Sequence, residues 1–83
     1  MDIRGLFGAN VRRLRRAAGL SQEALAERMG VDRAYISWIE TGRQNATLLS
    51  LWHASQALGV RPATLLDESH VVVTEAAPAS GKP

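Results

Sequence analysis

The sequence predicts an all-α fold of five helices within 83 residues. Three observations predict it. The stretch Gly19–Gly42 has the layout of two short helices joined by a tight turn. An amphipathic stripe, Phe7, Val11, Leu14 and Ala18, precedes it at the i, i+4, i+7, i+11 spacing of a helix face. A leucine-rich segment bounded by Thr47 and Gly59, then a proline-initiated one from Arg61-Pro62, follow it.

The first helix is expected from Ile3 to Ala18, with Gly19 ending it. Gly5 and Gly8 each cost about 1 kcal/mol relative to alanine inside a helix. Either the first turn frays, or Gly8 permits a close approach of another segment. The second helix covers Gln22–Met29. Ser21 is its N-cap, because a serine hydroxyl accepts from an unpaired first-turn amide. Leu25 and Met29 share one face. Ala26 is small where two helices cross, and Gly30 supplies the positive φ of a helix end. The third helix spans Arg33–Thr41, with Asp32 as cap and Gly42 as stop. Ile36, Ile39 and Glu40 turn inward. The fourth helix, Leu48–Leu58, is capped by Thr47, with Leu48, Leu51 and Leu58 inward. Leu49 and Trp52 lie three apart on a different face, with His53 beside them. A helix apolar on two faces needs a second burial partner. A fifth helix begins at Pro62, and Leu65 and Leu66 close the core.

The length is that of one domain, small enough to be marginally stable alone. Residues 1–68 form that domain, and 69–83 read as a C-terminal tail. In the tail Val71–Thr74 is a short β-prone run that could pair with a partner. Ala, Pro, Gly and Ser dominate from Glu75 onward. No cysteine is present, and His53 and His70 lack any ligand spacing, so no metal and no cofactor are expected. No apolar run suffices to span a bilayer, and the N-terminus lacks a signal-peptide layout, so a cytoplasmic protein with no membrane partner is expected. The net charge is +2, with nine arginines and a net +4 before residue 62, and −2 after it. That asymmetry suits a polyanion. Charge alone equally fits a solvated face of arginines favoured by codon usage. An enzyme is not expected, since there is no nucleophile–base pair, paired catalytic carboxylates or phosphate-cradling glycine loop.

A helix, a short turn with a glycine and a second helix form the helix-turn-helix pattern, whose second helix normally enters the DNA major groove. The exposed face of that helix carries Arg33, Ala34, Ser37 and Trp38. Arg33 is the best base reader, because a guanidinium can bond guanine O6 and N7 together. Ala34 offers a methyl-sized contact. Trp38 admits two readings: contact with a thymine methyl or sugar, or packing back on the second helix or the following loop. Tyr35 borders this face within reach of a phosphate. Gln22 sits at a helix N-terminus, where amides and dipole favour an anion; alternatively it only extends the cap. Glu40 is a carboxylate in an apolar stretch and needs a partner, for which Arg15 is the candidate.

The residues Leu20-Ser21-Gln22-Glu23, Leu25-Ala26, Gly30-Val31, Tyr35-Ile36-Ser37, Ile39-Glu40 and Gly42 resemble the helix-turn-helix of the Cro and phage-repressor type, the XRE family. Val11-Arg12-Arg13-Leu14-Arg15 and Ala57-Leu58-Gly59-Val60 extend the resemblance over about Phe7–Leu66. Asn10, Ala46 and Ala54-Ser55 depart from the family pattern. The resemblance implies a five-helix lambda-repressor-like domain, a homodimeric repressor, and double-stranded DNA as partner. It implies that Gln22, Arg43 and Arg12 hold the DNA backbone and that Arg15 bridges Glu40. No small-molecule ligand is expected. A dimer joint is expected at Leu49, Trp52 and the Val60-Arg61-Pro62 corner. The alternative is a protein-interaction or antitoxin-type module using the same fold to bind a partner protein.

Overall fold

The structure, a computed structural model, describes residues 2–43 and 45–70. The expected strand at Val71–Thr74 lies outside the described residues. Among the described residues there are four α-helices: α1 (Ile3–Ala17), α2 (Gln22–Met29), α3 (Arg33–Glu40) and α4 (Leu48–Leu58). The expected fifth helix is instead a 3₁₀ segment, Pro62–Leu66. Five residues offer too few i→i+4 bonds to sustain an α-helix, and the tighter 3₁₀ form suits such short pieces.

Side chains set the boundaries. The Ser21 hydroxyl accepts from Ala24 N, and the Thr47 hydroxyl from Ser50 N. Gly30 and Gly59 close α2 and α4 with φ of 71° and 68°, left-handed values that favour glycine. Of the two alternatives expected for the glycines of α1, the close approach at Gly8 holds, against the backbone of Ile39 and Glu40. The first turn is helical, its Asp2 carboxylate accepting from Arg4 N. Three expectations are corrected. Helix α1 ends at Ala17, one residue early. Helix α3 ends at Glu40, because Thr41 already leaves helical φ/ψ. Asp32 occupies the N-cap position of α3 but makes no capping bond.

The core is Phe7 and Val11 of α1, Leu25 and Ala26 of α2, Ile36 and Ile39 of α3, Ala54 of α4 and Leu65 of the 3₁₀ segment. Helix α1 packs on α3 and the 3₁₀ segment, while α2 packs on α3 and α4. Of the residues expected inward on α4, Leu51 and Leu58 pack against the core and Leu48 does not. Leu48 is 81 % exposed, and the small residues Ser50, Ala54 and Ser55 are buried instead. Leu66 is 37 % exposed, so of the two leucines only Leu65 is sealed in the core.

Asn10 is fully buried on the core face of α1. Its Nδ2 donates to the carbonyls of Leu65 at 3.0 Å and Asp67 at 2.8 Å. This satisfies two carbonyls at the end of the 3₁₀ segment that would otherwise be buried or half-buried without partners.

Candidate nucleic-acid interface

Helix α3 divides cleanly. Ile36 and Ile39 are sealed in the core, while Arg33 and Ala34 are exposed, Ser37 is half-buried and Trp38 is 48 % exposed. The hydroxyl of Tyr35 lies 2.6 Å from Ser50 Oγ, which is itself 3.1 Å from Thr47 Oγ1. That chain ties α3 to the N-terminus of α4. The C-terminus of α3 is closed by Thr41, whose Oγ1 donates to the carbonyls of Ser37 and Trp38. The backbone N–H of Arg43 donates to Trp38 O, so the exposed Arg43 follows directly on the helix.

Beneath this face lies an ion pair. Arg15 Nε donates to Glu40 Oε2 at 2.6 Å, and Arg15 Nη2 to Glu40 Oε1 at 3.1 Å. The two side chains are 10 % and 2 % exposed. Arg15 Nη1 donates to Leu20 O, in the turn between α1 and α2. The hydrogen bond to Glu40 raises the Arg15 pKa above its ordinary value, against the lowering effect of burial. The fork geometry joins α1 to the end of α3 at two points.

Gln22, the first residue of α2, bridges this pair to the surface. Its Nε2 donates to Glu40 Oε1 at 3.1 Å, and its Oε1 accepts from Arg33 Nη1 at 3.2 Å. No local sequence signal announces these contacts, because the partners stand 18 and 11 residues away. The Tyr35–Ser50 contact escapes sequence reasoning for the same reason. Arg12 and Arg16 are exposed on α1, and with the half-buried Arg13 they line a groove that reaches Glu40.

A model of the helix-turn-helix domain family matches residues 6–68, and these span all four helices but the first turn. The chain belongs to the helix-turn-helix domain family.

It is similar to an uncharacterised helix-turn-helix-type transcriptional regulator of Sinorhizobium fredii, 48 % identical over 72 % of this chain and 78 % of that protein. The control protein C.BamHI of Bacillus amyloliquefaciens is 46 % identical over 80 % of this chain and 83 % of its own length. Among solved structures, the restriction-modification controller protein C.AhdI from Aeromonas hydrophila superposes with a TM-score of 0.72 at 40 % identity. That match covers 75 % of this chain and 94 % of C.AhdI. The chain is thus a DNA-binding transcriptional regulator of the helix-turn-helix type, and it resembles the Cro and phage-repressor group as its motif implied. Among the described residues, no helix is long and apolar enough to cross a membrane.

Proposed function

We propose that this helix-turn-helix regulator binds as a homodimeric repressor to an inverted-repeat operator, each copy reading one half-site with the outer face of α3. The observation that carries this is the contrast on α3 between sealed Ile36 and Ile39 and exposed Arg33 and Ala34. In this reading Arg33 bonds a guanine edge, and Ala34, Ser37 and Trp38 complete the base contacts. Arg43, Arg12 and Tyr35 meet the phosphate backbone. Gln22 joins them through the second N–H of its amide, since among the described residues only one is engaged.

The two-fold joint lies at Leu49, Trp52, Val60, Arg61 and Pro62. Leu49 is 66 % and Trp52 52 % exposed on α4, which leaves both apolar side chains open to a second copy. Two copies presenting α3 about 34 Å apart meet successive major grooves, which sets half-site centres about 10 bp apart. Similarity to two restriction–modification control proteins makes such a gene set the first target to assay.

Selection of bound sequences from random duplexes tests the reading. The expected result is an inverted repeat with that spacing. Arg33→Ala should cost about 1–3 kcal/mol and relax one base pair in each half-site. Enrichment of an unrepeated site, or a motif unchanged by Arg33→Ala, overturns it.

A further inference from the structure

We propose that Trp38 makes DNA binding depend on a pyrimidine 5-methyl group. At one base pair of each half-site thymine and 5-methylcytosine are accepted, while uracil and unmethylated cytosine are disfavoured. The proposal rests on the reading of α3 given above. It adds to that reading a response to the methylation state of cytosine.

Trp38 stands apart from the other apolar residues of α3. Ile36 and Ile39 are 0 % and 1 % exposed, and Tyr35 packs against the core cluster from its edge. Trp38 is 48 % exposed and belongs neither to that cluster nor to the apolar side chains packed against it. It lies one turn after the exposed Ala34, four residues on and so on the same helix face. The largest apolar side chain of α3 is thus left on the side assigned to DNA.

The backbone beneath the indole is fixed. Trp38 O accepts from Arg43 N at 2.9 Å and from Thr41 Oγ1 at 3.3 Å. The adjacent Ile39 is sealed in the core. Two side-chain torsions remain, so little rotamer freedom is lost when DNA covers the ring.

The chemistry of an indole limits what it can read. It has one N–H donor and no acceptor, and the rest of its surface is apolar. The only alkyl group on a base edge in the major groove is the 5-methyl of thymine. Packed on that methyl, the ring excludes water. Over uracil or cytosine the same pose leaves a gap of one methyl, whose lining loses its contacts. Cytosine methylated at C5 carries the same group on the same ring carbon, so an apolar reader accepts it as it accepts thymine. Arg33 and Ser37 are suited to polar atoms, and Ala34 offers only a methyl of its own. Selection for the methyl therefore falls to Trp38.

The test measures affinity for duplexes of the selected operator altered in both half-sites. In one set each thymine in turn becomes uracil, which lacks only the methyl. In the other, cytosine and 5-methylcytosine are compared at the same pair. The proteins are wild type, Trp38→Ala, Trp38→Leu and Arg33→Ala, each checked for helicity by circular dichroism. One buried methyl is worth roughly fourfold in affinity, so uracil at one thymine position should weaken wild type by roughly 10- to 25-fold over the two half-sites. At that position 5-methylcytosine should bind more tightly than cytosine by a similar factor. Trp38→Ala should bind thymine and uracil equally there, and Trp38→Leu, still apolar, should keep part of the preference. Wild type indifferent to uracil at every position reduces Trp38 to a sugar contact and overturns the proposal. Full methyl preference in Trp38→Ala passes the role to Ala34 and overturns it as well. In both cases the reading of α3 stands if Arg33→Ala still relaxes its own base pair. If Arg33→Ala shifts no base pair at all, that reading fails and the proposal falls with it. The uracil series on wild type carries the decision should Trp38→Ala not fold.

Discussion

Gly8 of α1 lies against the end of α3 so closely that a β-carbon on it would stand 2.1 Å from the carbonyl oxygen of Ile39. The backbone of Glu40 is within 3.1 Å of the same point. No flexible side chain is there to yield, so α1 and α3 would have to separate. Gly8→Ala gains about 1 kcal/mol of helix propensity, yet overpacking of this kind costs about 1–3 kcal/mol and sometimes more. Its melting temperature should fall. Gly5, three residues earlier, has nothing within 4 Å of its added carbon, and Gly5→Ala should raise the melting temperature. Equal shifts in the two variants would show that the helices do not meet as described.

Arg15→Ala should be far more damaging than loss of a surface charge. It leaves Glu40, with its side chain 2 % exposed, facing no cation. Stranding a buried charge costs about 3–5 kcal/mol, whereas an exposed pair contributes about 1 kcal/mol or less. Arg15→Lys restores the charge but not the two-pronged geometry, and should recover part of the loss. Denaturant unfolding of the three proteins measures this. An Arg15→Ala midpoint within error of wild type would place the pair in solvent.

Binding to DNA should weaken steeply with salt. Nine arginines fall before residue 62, and Arg12, Arg33 and Arg43 are exposed. Neutralising about four to eight phosphates per dimer gives a slope of log K against log salt of roughly −4 to −7. Titrations at several salt concentrations give the slope directly. A flat line would deny the phosphate contacts assigned to these arginines.

Trp52→Glu should split the proposed dimer. Trp52 is already half in solvent in the single chain, so the substitution leaves the core untouched. Across a symmetric joint it sets two like charges in apolar surroundings. Sedimentation should show the monomer, circular dichroism an unchanged helix content, and operator binding should vanish. A variant that still sediments as a dimer and still binds the repeat puts the joint elsewhere.

Much of this architecture was legible because helix ends are written in local chemistry. Ser21, Gly30, Thr47 and Gly59 each act within four residues of themselves, so their sequence neighbourhood contains the whole interaction. The apolar stripe of α1 was equally readable. Misplacements arose where hydrophobicity and burial part company. Leu48 sits in the first turn of α4, where no neighbouring element covers it, while small Ser50, Ala54 and Ser55 fit the crowded side. The role of Asn10 was not legible, because nothing near it announces carbonyls arriving from 55 and 57 residues away. In the interface, the outward residues of α3 followed from the inward ones by periodicity. The Gln22 bridge did not, since it depends on how α2 and α3 cross.

The two bonds from Asn10 to Leu65 and Asp67 also constrain how the protein comes into being. The ribosome delivers the chain from the N-terminus, about 5–20 residues each second. The residues of α1, α2 and α3 are therefore already made while the carbonyls that Asn10 needs are not. Until residue 67 emerges, this buried amide has no mate and Leu65 has not capped the core. A product that stops short of residue 67 lacks the bonds that brace α1 against the 3₁₀ segment. Competence to occupy an operator thus waits on residues 65–67, and chains that stop before them do not compete for it.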